Sequence, residues 1–271
     1  MNVPPLEIIT TKHKHALRSF WQSLLIGLPL PLLLLMVWEI AVRKNWLPPT
    51  LIASPSDVAL DFITLLSNGA LIHHIVVSLG RLAFGLSIGV TAGLFLGSVL
   101  ALSRLLDGIV SPTIQILTPV PVIAWTPLLI IFLGIDGARI ALIAVGAFFI
   151  VLFGTFQGIR STSFSLIEMA RMYQKSDFDL VRHVLLPGAM PQIFDALRLT
   201  LGMGWVLLLI GEIIASSSGL GWLIWDSRNF SRPDDMIVGM VTVGILGKCS
   251  DMALARLQAY CLRWRPSFTG Q

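Results

Sequence analysis

The sequence predicts an all-α polytopic membrane protein of about six transmembrane helices, and three observations predict it. The first is composition. Of 271 residues, 55% are hydrophobic and only 13% charged, and the mean hydropathy is +0.82. A soluble domain carries roughly 25% charged residues, so half the usual charge is missing. The second is the length of the apolar runs. Crossing the hydrocarbon core takes ~20 apolar residues, and six stretches qualify: 24–42, 76–102, 112–133, 138–159, 193–215 and 236–254. The third is the placement of lysine and arginine. With both termini on one side, that side holds Lys12, Lys14, Arg18, Arg104, Arg160, Arg171, Lys175, Arg182, Arg256, Arg263 and Arg265. The other side holds Arg43, Lys44, Arg139, Arg228 and Arg232. The excess marks the cytoplasmic side.

Taken in order, residues 1–23 read as a cytoplasmic segment, carrying Lys12, His13, Lys14, His15 and Arg18 before the first apolar run. No small-residue cleavage signal follows, so the run at 24–42 reads as a retained helix. Residues 24–254 form one membrane domain. Its second span carries Gly85, Gly89, Gly93 and Gly97, three overlapping G-x-x-x-G motifs along one stripe, which lets another backbone approach closely. Two uses fit the stripe: tight packing within the bundle, or a face that slides against a neighbour. The third span contains Pro119, Pro121 and Pro127, tolerated in a membrane where neighbours satisfy the freed carbonyls. After the fifth span, Gly219 to Trp225 is too apolar for a free loop and is expected to dip back to the bilayer edge, with Trp222 and Trp225 at the interface. The sixth span contains Lys248 and Asp251, spaced as a same-helix ion pair. Residues 255–271 form a cytoplasmic tail.

Residues 161–191 interrupt this pattern with acids, bases and prolines. Ser165 and Glu168 have capping-box spacing, and Ser176 and Asp179 repeat it with a shorter acid. Two short helices are therefore expected. Leu166, Ala170 and Tyr173 fall on one face of the first, and Phe178, Val181 and Leu185 on one face of the second. Pro187 is expected to end the second helix, with Pro191 near the start of the next span. The pattern describes a helix-turn-helix platform with apolar knobs. It fits equally an amphipathic loop on lipid headgroups and a docking site for a cytosolic partner.

Several chemistries lack their residues. There is no G-x-x-x-x-G-K-[ST], so this chain is not expected to bind ATP itself. Cys249 and Cys261 build no disulfide framework. His73 and His74 are adjacent and diverge on a helix, so no metal site is expected. His183 reads as solvated or partner-facing. Serines 216 to 218 have no nearby histidine to activate them. No basic, aromatic-interleaved stripe suggests nucleic acid.

The interruption also resembles a known family. Glu168-Met169-Ala170, followed by Val184-Leu185-Leu186-Pro187-Gly188-Ala189-Met190-Pro191, resembles the EAA loop of ABC importer permeases. Ser54-Pro55-Ser56 resembles that family's entry to an interfacial helix. Pro119-Val120-Pro121-Val122-Ile123-Ala124-Trp125-Thr126-Pro127-Leu128, running on to Leu133-Gly134-Ile135, looks like another of its segments. Ala215-Ser216-Ser217-Ser218-Gly219-Leu220-Gly221 is similar to the stretch after its fifth span. Gly247-Lys248-Cys249-Ser250-Asp251 and Leu262-Arg263-Trp264-Arg265-Pro266 are similar to the end of alkanesulfonate permeases, and the resemblance covers roughly residues 50 to 266. It departs at Met169, where the family has alanine, and at Gln174, where it has glycine. A non-glycine residue is disfavoured in the left-handed turn, so Gln174 is expected to take a different turn and tilt the platform helices.

The resemblance implies a type I ABC importer permease fold in a bacterial inner membrane. It implies a homodimer with the solute path on its two-fold axis, two ATP-binding subunits that carry ATP and Mg, and an external solute-binding protein. The loop would be the coupling helix seated on the ATPase, through Glu168, Ala170, Arg171, Tyr173, Gln174, Phe178 and Pro187. The implied solute is a small organic anion such as an alkanesulfonate or taurine, with nitrate or another small anion as the alternative. Charges within spans are functional candidates. Arg81 and Glu212 are therefore candidate path residues, with Arg81 favoured for drawing in an anion and able to pair with Glu212, and Pro119, Pro121 and Trp205 are further candidates for the path. Arg198 reads as an anchor at the inner surface. A secondary transporter would show internal repeats and mid-membrane titratable groups, and an intramembrane enzyme would need a clustered acid, base or metal set. Neither is evident.

Overall fold

The computed structural model describes residues 29–48 and 51–264, and every regular element among them is helical. Residues 24–28 of the first span, the segment 1–23 and the tail beyond 264 lie outside the described residues. In chain order the helices are α1 (Pro29–Arg43), α2 (Pro55–Ser67), α3 (Ala70–Leu102), α4 (Arg104–Leu117), α5 (Thr126–Arg160), α6 (Phe164–Met172), α7 (Asp177–Leu180), α8 (Leu186–Ala215), α9 (Leu220–Asn229) and α10 (Pro233–Cys261). A 3-10 turn occupies Val122–Trp125 and a widened π turn Val181–Leu185. Among the described residues, 4 stretches are long and apolar enough to cross a membrane: Ala70–Leu102, Val122–Arg160, Asp177–Ile214 and Pro233–Cys261.

The third predicted span differs most from expectation. Its helix begins at Arg104 rather than at 112 and stops at Leu117. Pro119 and Pro121 cannot donate to a helical ladder, so the chain leaves the helix there and re-forms as the 3-10 turn before α5. Pro127 then sits in the first turn of α5, where a missing N–H does no harm. The run bends again at Gly134, with φ 69° and ψ 178°, a conformation open to a residue without Cβ. Beyond the bend, the long leg of α5 returns antiparallel to α4. An ion pair of 2.7 Å between Asp107 and Arg160 clamps the two at one end, and Ile114 and Leu152 share a core cluster further along.

That long leg is the centre of the bundle, with Leu142, Ile143, Ala147, Val151 and Leu152 buried. The glycine stripe of α3 explains how. A Cβ on Gly85 would lie 2.6 Å from Ile143 Cβ, one on Gly93 2.8 Å from the Phe148 carbonyl, and one on Gly97 2.7 Å from the Leu152 carbonyl. On Gly89 it would strike the Ala144 carbonyl. The stripe is a seam along which two backbones touch. In turn α5 offers Gly154 and Gly158 to α8, against Ala196 and Ala189. Close packing of this kind holds helices together where lipid removes the hydrophobic drive between them.

The shorter helices fit around this core. Ser54 caps α2, its Oγ accepting from Asp57 N at 3.2 Å with Pro55 in the first turn, and α2 packs on α10. The Gly219 to Trp225 stretch, expected to dip back, is the helix α9 packed on α8 and α10, with Leu220 and Leu223 buried. Trp222 leans on His74 at 5.4 Å between ring centres, and Arg228 lies 5.2 Å over Trp225.

Candidate functional site

The 161–191 segment folds as an elbow at one end of the bundle. Helix α6 begins after Ser163, not through a Ser165–Glu168 box: Ser163 lies at the cap with no side-chain cap bond, and its hydroxyl is 2.7 Å from that of Ser165. With Ser165 already inside the helix, its hydroxyl is out of register for the role. At the second position the serine does cap its helix, while the acid bonds the serine hydroxyl instead of its backbone N–H. Ser176 Oγ accepts from Asp179 N at 3.2 Å and donates to Asp179 Oδ2 at 2.9 Å. Between the helices, Gln174 takes the left-handed conformation at φ 53°, so the family's turn is kept rather than replaced. Two hydrogen bonds enforce it, Gln174 N to Arg171 O at 2.9 Å and Lys175 N to Ala170 O at 3.2 Å, the Schellman pattern that satisfies the last helical carbonyls.

Pro187 does not end the second helix. The helix runs from Asp177 through Ile214, and the proline is accommodated by the π turn one turn earlier, where Leu186 N bonds to Val181 O. The wider turn gives the ring room that an α-turn lacks. It also shifts the register of the faces. Ala170, Leu180 and Leu185 turn inward onto Ile159, Ala189 and Ile193. Phe178, expected beside Leu185, points outward instead. The elbow is thus anchored by small and branched side chains and presents large ones: Phe164, Met169, Met172, Tyr173 and Phe178 are all more than half exposed. Between α6 and the π turn lies a cleft of about 360 Å³, lined in part by Met169, Tyr173, Val184, Pro187 and Trp264. A second hollow, about 400 Å³, is bordered by Glu168, Arg171 and Met172. Exposed apolar surface rimmed by charge is the kind of surface that a partner can cover.

At the opposite end, Arg81 and Glu212 meet. Their ion pair is 2.8 Å, with Glu212 fully buried and Arg81 14% exposed. The carboxylate also accepts from Ser78 Oγ at 2.8 Å and from Gly221 N at 2.8 Å. Arg81 in turn donates to the Ser218 carbonyl at 2.7 Å. Gly219 has φ 110° and passes so close to Glu212 that a Cβ would strike the carboxylate. The pair therefore fastens the 216–221 loop to α3. His74 Nδ1 accepts from Gly219 N at 3.1 Å, adding a tie. Sequence reasoning missed Ser78, His74 and Arg139 here; a serine or histidine inside an apolar helix gives little signal until its partner is placed.

The remaining path candidates lie elsewhere. Pro119 and Pro121 occupy the exposed break after α4. Trp205 is buried, donates from Nε1 to Ser250 Oγ at 3.1 Å, and lines a cavity of about 280 Å³ with Arg198 and Asp251. Arg198 pairs with Asp251 at 2.9 Å, leaving Lys248 at 3.8 Å as the lesser partner.

Comparison with known proteins agrees with this architecture. A family model for the binding-protein-dependent transport system inner membrane component matches residues 89–260. The Escherichia coli (strain K12) protein named as an aliphatic sulfonates transport permease, SsuC, is 38% identical over 88% of this chain and 91% of its own length. The protein of that name from Bacillus subtilis (strain 168) is 35% identical over 90% of this chain and 89% of its own. Among solved structures, a chain of the MetNI methionine ABC transporter in an inward-facing conformation superposes with TM-score 0.62 and 21% identity, covering 70% of this chain and 95% of that one. The helical architecture, the family match and the extent of the similarity agree: this chain belongs to the binding-protein-dependent transport system inner membrane components, as a multi-pass permease of the ABC importer type.

Proposed function

We propose that the chain is the solute-conducting subunit of an ATP-driven importer for a small organic anion, an aliphatic sulfonate. Two copies form the path, two ATP-binding subunits carry ATP and Mg, and an external binding protein delivers the solute. Both termini and the elbow face the cytoplasm, in keeping with the lysine and arginine excess on that side. The observation that carries the reading is the elbow: an anchored helix pair that holds out Met169, Met172, Tyr173 and Phe178. ATP-driven closure of the partner would swing α6 and α7 together with α8, because the π turn joins the elbow to that span without a break. The sulfonate assignment draws on the two similar proteins named above. Glu168, Arg171 and Gln174 rim the surface, and Ala170 and Pro187 set its geometry.

The test is co-purification of the tagged chain from its own membranes. A bound ATPase and sulfonate uptake that needs ATP are expected. Phe178→Glu should abolish ATPase retention while the chain still elutes as a folded species. A folded chain that never holds an ATPase, or holds it equally well in the variant, would overturn the reading.

A further inference from the structure

At the end of the bundle away from the elbow, two guanidinium groups, Arg81 and Arg139, lie near the fully buried carboxylate of Glu212. Arg81 is committed to Glu212 and to the Ser218 carbonyl. Arg139, one turn beyond the Gly134 bend, is differently placed. Its side chain is 8% exposed and packs on α8 at Gly211. Its Nη1 donates to Ser216 Oγ at 3.2 Å, and its Nε is buried without a hydrogen-bond partner among the described residues. Its carboxylate partner, Asp136 at 3.0 Å, is 91% exposed, so water screens that pair to little. The buried part of the cluster therefore carries more positive than negative charge, with one guanidinium edge unsatisfied. Such a site gains from an anion.

Over Arg139 runs the strip Ser216 to Ser218, with Ser217 exposed. Ser216 Oγ donates to the Ser218 carbonyl and accepts from Arg139, a position that an anion oxygen can take over. The far side of the strip is pinned, since Leu220 N bonds to Ser78 Oγ at 2.8 Å and Gly221 N to Glu212. Any lifting is thus confined to the serines themselves, with Gly219 at φ 110° as the joint.

We infer that Arg139, beneath the Ser216 to Ser218 strip, is the receiving site for the charged head of the solute: a sulfonate, or another oxyanion of similar shape, held by the Nε edge of the guanidinium and the serine hydroxyls. This deepens the anion-importer reading and rests on it. Arg81 positions the strip rather than the anion, and Asp136 competes with the solute for Arg139.

The experiment uses the full chain, purified in detergent, and follows its melting temperature against rising ethanesulfonate, acetate and bicarbonate, with neutral ethyl methyl sulfone as control. A saturable rise with ethanesulfonate and none with the sulfone is expected. Arg139→Gln should lose that rise. Asp136→Asn should lower the half-saturating concentration about two- to fivefold, the worth of an exposed ion pair. If Arg139→Gln responds like the original chain, the site is overturned. If Arg139→Gln fails to fold, Asp136→Asn decides, and an unchanged half-saturation overturns the site. A response to acetate or bicarbonate alone, lost in Arg139→Gln, upholds the site and overturns sulfonate as the solute. No response to any anion overturns the site but leaves the ATPase co-purification, and with it the importer reading, untouched.

Discussion

Gln174 holds a backbone conformation that costs a residue with a side chain about 1 kcal/mol, because two hydrogen bonds of the turn require it. Gln174→Gly should therefore raise the melting temperature and leave uptake intact. A lower melting temperature or a collapse of uptake would show that the glutamine side chain itself does work at the turn. Gly89 presents the opposite case. Its missing Cβ is where the Ala144 carbonyl lies, and a backbone cannot step aside as a side chain can. Gly89→Leu should force α3 from α5 and abolish the folded peak in size-exclusion chromatography. On the same helix Gly80 has nothing within 4 Å, so Gly80→Ala should be silent. Equal yields of all three proteins would refute the seam.

Helices meet through charge as well as through glycine. Where α2 packs on α10, Asp61 contacts Asp235, with Asp234 and Arg232 close by. Burial and then the neighbouring carboxyl push the Asp61 carboxyl up to about 7, from an ordinary 3.8. Taking up a proton removes the repulsion between Asp61 and its acidic neighbours. Since the folded chain holds that proton and the unfolded chain releases it, stability is fullest below about pH 4 for this group and declines as pH rises to about 7. Asp61→Asn keeps a donor without the charge. Its melting temperature should exceed that of the original chain at pH 8 and vary less between pH 4 and 7. A variant with the same pH slope as the original would exclude Asp61 as the cause.

Across the whole molecule, the two ends are held by different means. The elbow end rests on Ile159, Ala170, Leu185 and Ile193, and the opposite end on Leu71, Leu142, Leu208 and Leu220 around the Arg81–Glu212 tie. Glu212→Gln removes the charge that Arg81 needs in a buried setting, a loss of about 3–5 kcal/mol when one partner of such a pair is deleted. Hydrogen exchange should quicken at 216–221 and stay unchanged at 164–185. A uniform quickening would mean that the ends open as one unit, against a separate latch. The π turn at Val181–Leu185 is the stretch through which motion of the elbow passes into α8.

The spans, the elbow and the glycine stripe were legible in the sequence, because each depends on local pattern: apolar length, capping spacing, four-residue recurrence. The outward face of the elbow was only half legible. Leu166, Ala170 and Tyr173 do not share a face, since Ala170 is buried while Tyr173 lies past the end of α6 and is exposed, and Phe178 does not pair with Leu185, since a π turn adds a residue that no 3.6-residue count contains. The third span is not one helix over 112–133, because Pro119 and Pro121 break it into the end of α4 and the start of α5. By itself the sequence determined that charge had to be rare in the spans and that the rare charges mattered. Only the tertiary structure decided which charges are satisfied. Glu212 draws its partners from α3 and α9, far away along the chain, and Arg139 is left with an idle edge for the same reason: hydrogen-bond satisfaction is settled by three-dimensional neighbours, which no local spacing encodes.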